Sequence, residues 1–100
     1  MDFHVAGFGH QDGWEVIDEL LVGTKVDLRY EPENPYDPTA VAIYYEDTKI
    51  GYVPSVKNSE IYTLLYYGHE DLFEAYINMR DERAHPERQF RVAVKITDRR

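Results

Sequence analysis

The sequence has no cysteine, which excludes disulfides, thiolate nucleophiles and cysteine-built zinc or iron–sulfur sites. Any metal would have to be held by histidines and carboxylates. His4, His10, His69 and His85 lack the i, i+4 spacing of helix-borne metal ligands and fall in different segments. Neither a metal site nor a cofactor is expected. No apolar run approaches the ~18 to 20 residues of a membrane span, and the N-terminal MDFHVAGFGHQDG lacks the basic and apolar regions of a secretory leader. A cytoplasmic protein is the expectation. Basic residues are also scarce: 11 against 19 acidic give a net charge of −8, the reverse of the electrostatic footprint of a duplex-coating protein. There is no glycine-rich phosphate loop, no G-x-S-x-G and no legible Ser-His-Asp set. Nothing points to an enzyme.

What is present suits one folded unit. A chain of 100 residues with 43% hydrophobic and 14% aromatic side chains has room for a single domain over 1–100, with one core and a radius of gyration of roughly 13 Å. No repeat or low-complexity tract interrupts it. The charge is uneven: residues 1–79 carry 4 basic and 15 acidic side chains (net −11), and residues 80–100 carry 7 and 4 (net +3). A basic C-terminal strand paired with acidic neighbours is the plain explanation.

The patterning predicts mostly short strands. Phe3, Val5 and Gly7 alternate with His4, Ala6 and Phe8 as a first strand. Asp12 and Glu15 resemble a capping box, and Trp14, Ile17 and Leu21 at helical spacing predict a two-turn helix ended by Gly23. From Thr24, Val26, Leu28 and Tyr30 alternate with Lys25, Asp27 and Arg29, a half-buried strand. Three prolines make 31–38 a rigid loop. Residues 40–45 and 49–53 read as a hairpin, and 57–67 as a helix with Ile61, Leu64 and Leu65 inward and Gly68 at its end. Phe73, Ala75, Ile77 and Met79, then Phe90, Val92, Val94 and Ile96, form two further alternating strands. The expected fold is mainly β with α+β content: a small OB-like or SH3-like antiparallel barrel of about six strands with two short helices.

Glu31, Glu33, Asn34 and Asp37 crowd oxygens into the proline loop, without the glycine of a calcium-binding loop. Nine tyrosines, four phenylalanines and a tryptophan exceed what so small a core needs, so some aromatic surface is exposed. Exposed aromatics stack nucleic-acid bases with little help from positive charge. Tyr36 stands out, because the Asn-Pro-Tyr-Asp turn fixes its direction before any ligand arrives.

The run LRYEPENPYDPTAVAIYYEDTKIGYVP (28–54), together with FHVAGF near the N-terminus and the helix that follows, resembles the HIRAN domain. NPYDPTAV followed by IGYVP at this spacing is its specific core. That family occurs fused to Swi2/Snf2-type helicases and as small free-standing bacterial proteins, which this chain resembles. The resemblance implies an OB-like barrel and a non-catalytic module that recognises the 3′-hydroxyl end of single-stranded DNA, in DNA repair or processing. It implies that Tyr36 stacks on a base, that Asp37 accepts from the terminal hydroxyl, and that Asn34 orders the turn. His4 and Tyr52 fall at further stacking positions, and Lys57 near basic ones. Arg91, with Arg88 and Lys95, is a candidate for backbone contacts. The rival expectation is an acidic adaptor that docks on a DNA-processing protein such as a helicase or nuclease and binds little DNA itself. A monomer is expected in either case.

Overall fold

Alternating segments supply six strands, and the computed structural model describes them within residues 1–97. They are β1 (Asp2–His4), β2 (Lys25–Tyr30), β3 (Val41–Tyr45), β4 (Thr48–Tyr52), β5 (Phe73–Arg80) and β6 (Phe90–Ile96). One α-helix, α1 (Ser59–Tyr66), and short 3-10 turns connect them. The strands form one antiparallel sheet in the order β1-β6-β5-β2-β3-β4. The sheet curls until its ends meet: Ala6, just past β1, exchanges both backbone hydrogen bonds with Tyr52 of β4, at 2.9 and 2.8 Å. The result is the expected mainly β, barrel-like architecture, with a radius of gyration of 12.8 Å.

That meeting of the sheet's ends depends on Gly51. A Cβ there would lie 2.4 Å from Val5 Cγ1 and 2.6 Å from the Ala6 carbonyl oxygen, so only glycine lets the chain after β1 lie against β4. Inside the curl, Phe8, Leu20, Ile43, Ile50, Ile77 and Phe90 are fully buried. Phe8 anchors the N-terminal segment, with its ring centroid 4.9 Å from that of Phe90 and 5.2 Å from that of Trp14.

The predicted helix at 12–22 is a 3-10 helix over Asp12–Glu19. Its tighter turn of three residues brings Gly13 and Leu20 into the core with Val16 and Ile17 half-buried, and leaves Trp14 and Leu21 about half exposed. Gln11, not Asp12, precedes the first turn, and no side chain caps it. The helix expected over 57–67 divides into a 3-10 turn at Ser55–Lys57 and α1, with Ile61 and Leu65 buried, Leu64 half-buried and Gly68 at φ +82° past its end. The β5 alternation fails at Met79, because the register to β6 shifts between Ile77 and Met79. Ile96, expected inside, is 71% exposed; it pairs with Phe73 at the outer end of the β5–β6 ladder, beyond the point where β2 still runs beside β5.

Candidate nucleic-acid interface

The proline loop leaves β2 and returns to β3 through Glu31, whose N–H donates to the Ala40 carbonyl at 2.9 Å. Between them Asn34 organises the turn. Its Oδ1 accepts from the backbone N–H groups of Tyr36 (2.9 Å) and Asp37 (3.0 Å), and its Nδ2 donates to Glu31 Oε1 (3.1 Å). Asparagine suits this role because its short side chain mimics a backbone turn. Tyr36 projects from the turn with 94% of its surface exposed, a preorganised ring with nothing packed over it.

Asp37 is held by a second set of bonds. Its Oδ1 accepts from the Thr39 N–H (2.9 Å) and lies 3.1 Å from the Thr39 hydroxyl, and its Oδ2 accepts from Asn58 Nδ2 at 2.8 Å. The Thr39 N–H bond, opposed by burial and helped by Asn58 and the Thr39 hydroxyl, holds the Asp37 carboxyl below its ordinary pKa. An ionised carboxylate offers about four acceptor positions, so Asp37 keeps acceptor capacity on Oδ2. Asn58 is itself buried and sits at the start of α1. It ties the turn to the helix.

Tyr52 donates its hydroxyl hydrogen to the same Glu31 Oε1 (2.8 Å) and accepts from Lys49 Nζ (3.1 Å), while Lys49 forms an ion pair with Glu31. Burial works against both charges. The hydrogen bonds outweigh it, lowering the Glu31 pKa and raising that of Lys49. Burial and the Glu31 charge raise the Tyr52 phenol, with Lys49 opposing, so Tyr52 is a neutral donor at ordinary pH.

Asn34, Tyr36, Asp37 and Tyr52 therefore line one open cleft of 880 Å³, together with Tyr30, Glu31, Glu33 and Lys49. Three carboxylates against one ammonium give the lining a formal charge of −2. His4, Lys57 and Arg91 lie outside this lining. His4 is on the same face of the first segment as Ala6, two residues from the cleft. Arg91 stands opposite His4 in the β1–β6 register, donates to the Asp2 carboxylate at 2.8 Å and approaches His4 Nδ1 at 3.5 Å. Lys57 Nζ donates to the Asp2 carbonyl at 3.0 Å. Burial, then the charges of Arg91 and Arg88, lower the His4 pKa. Lys95 lies over the Tyr76 ring, 5.4 Å from its centroid.

The basic C-terminal fifth is partly structural. Arg80 donates to the carbonyls of Ile17 (2.6 Å) and Leu20 (2.9 Å) and pairs with Glu82; Arg99 and Arg100 lie outside the described residues. Asn58 and Lys49 carry no local signal that ties them to the turn. Asn58 reads as a helix-start residue and Lys49 as an ordinary hairpin lysine, and only the fold brings them to Asp37 and Tyr52.

A small, curled antiparallel sheet with an aromatic cleft on a rigid turn defines a binding domain. Residues 1–97 match the HIRAN domain family, and the chain belongs to it. HIRAN domains are nucleic-acid-binding modules and are generally non-catalytic. A crystal structure of a protein from Lactobacillus plantarum has the same fold: the TM-score is 0.72 at 21% identity, over 94% of this chain and 91% of that one. No curated protein matches the chain. Among the described residues, no helix is long and apolar enough to cross a membrane.

Proposed function

We propose that the cleft at the 34–37 turn binds the 3′-hydroxyl end of a DNA single strand. The observation that carries this reading is Tyr36: a fully presented aromatic ring on a turn already fixed by Asn34, beside Asp37 and Tyr52. The terminal base stacks on Tyr36, and the hydroxyl donates to Asp37 Oδ2. The lining charge of −2 supports an end rather than a phosphate-dense segment, because a terminal phosphate would lie against carboxylates. With few cations in the cleft, affinity rests on stacking and depends weakly on salt. His4, two residues from the lining residue Ala6, and Arg91 opposite it on β6 serve the strand further from its end. Titration of a labelled oligothymidylate tests this: Tyr36→Ala weakens binding about tenfold or more, within the ~1–3 kcal/mol of one base–aromatic stack. Unchanged affinity would contradict it.

The same −2 lining, with Lys49 already neutralised by Glu31, favours a second reading, an adaptor whose acidic face docks on a DNA-processing protein such as a helicase or nuclease. In that case oligothymidylate binds negligibly and Tyr36→Ala has no DNA effect to show.

A further inference from the structure

Residues from both faces of β2 line a single second cleft. Val26, Leu28 and Tyr30 alternate with Asp27 and Arg29, and a groove over one face of a sheet would be lined by only one of these sets. Here all five border the same 590 Å³ space, with Leu65 and Tyr66 of the α1 helix and Phe73 and Ala75 of β5 on the other walls. Such a cleft opens on the edge of a strand. The pairing shows why: β2 pairs with β3 throughout Asp27–Tyr30 but with β5 only at Lys25 and Val26. Past Val26 the two strands part, and among the described residues the β5 side of Asp27–Tyr30 has no strand partner.

An open edge inside a cleft presents a row of backbone N–H and C=O groups. An extended peptide matches that row and a nucleic-acid strand does not. The floor is apolar, from Val26, Leu28, Leu65 and Phe73, and the rim carries the Asp27 and Glu70 carboxylates. Arg29, the cation in this lining, is engaged elsewhere: it donates to the Glu46 carbonyl at 3.1 Å and lies over the Tyr44 ring at 4.0 Å. Tyr66, in ring contact with Tyr30, Tyr62 and Tyr67, gives the cleft an aromatic wall.

We propose that this cleft is a docking site for an extended, basic peptide segment of a partner protein, added as a strand along Asp27–Tyr30. Its cationic side chains meet Asp27 and Glu70, and its apolar ones enter the floor. At about 3.3 Å per residue the open edge accommodates four or five residues. The site is separate from the end-binding cleft, sharing only Tyr30 with it, so each reading stands or fails alone.

The test uses the acetylated, amidated peptide Lys-Val-Arg-Ile-Arg-Val, followed by backbone amide exchange of the protein and by anisotropy. Binding slows exchange within Asp27–Tyr30, one of the two alternately N-methylated forms of the peptide fails to bind, and the exposed pair Asp27→Lys, Glu70→Lys weakens binding about tenfold while the circular dichroism spectrum is unchanged. No binding at millimolar peptide, equal binding of both N-methylated forms, or protection elsewhere would overturn the proposal. So would protection of this edge by raised protein concentration alone, which assigns it to a second copy, or by oligothymidylate, which assigns it to nucleic acid.

Discussion

Asn58 donates to Asp37 across 21 positions of sequence, at 2.8 Å, and so joins the start of the helix to the turn that presents Tyr36. Asp37 is thus a structural acceptor within the fold. Asn58→Ala leaves a partly buried carboxylate oxygen without its donor and costs about 1–3 kcal/mol, the usual penalty for an unpaired buried group. Urea denaturation should show the lower midpoint with an unchanged slope. A wild-type midpoint would mean that the link carries no load.

Asp37→Ala removes the acceptor for the Thr39 N–H and Asn58 as well as the proposed contact to a hydroxyl. It should therefore lower the thermal midpoint and end binding together. Tyr36→Ala should separate the two, because an almost fully exposed ring contributes within about 0.5 kcal/mol of stability while its loss removes one stack. Thermal scans of both variants check this; a large stability loss in Tyr36→Ala would show that the ring packs against the domain.

The carboxyls of Glu31 and Asp37 are held below their ordinary values of 4.5 and 3.8. A depressed carboxylate stabilises the fold fully above its ordinary pKa, and the contribution disappears as pH falls through the lowered one. His4, also lowered from 6.5, adds a loss that begins as pH drops below that value, since the unfolded chain then binds more protons. Thermal midpoints should fall from pH 7 toward pH 3, with Glu31→Gln flattening the acid limb and His4→Gln the limb near pH 6. A flat profile would contradict these assignments.

Gly51→Ala places a methyl 2.4 Å from Val5 and 2.6 Å from the Ala6 carbonyl. The clash is with backbone as well as side chain, so it should cost about 1–3 kcal/mol and loosen the Ala6–Tyr52 bridge beside the cleft. Faster amide exchange at Ala6 and Tyr52 is the expected signature; unchanged protection there would mean that the bridge tolerates the methyl.

Strand alternation makes the sheet legible in the sequence, because a buried face imposes a two-residue period. It misled where the sheet itself is irregular. Leu28 and Tyr30 continue the Val26 pattern yet are half-buried and exposed, because β5 has left their side, and that departure has no local signature. The helix at Asp12 imitates an α-helix in sequence because Trp14 and Leu21 fall at α spacing, while Gly13, buried under the Phe8 ring, carries no hydrophobic signal. Of the cleft, the Asn-Pro-Tyr-Asp turn was readable from its own residues. Lys49 and Asn58 were not, since each reaches the turn through a partner distant in sequence, Glu31 and Asp37.

Recognition of a 3′-hydroxyl end by the cleft is tested by anisotropy of a short labelled single strand ending in a free 3′-hydroxyl against the same strand ending in a 3′-phosphate, at low and near-physiological salt. Tighter binding of the hydroxyl end at both salts, lost in Tyr36→Ala, is the expected result. Equal binding of the two ends, or negligible binding of both, would contradict it.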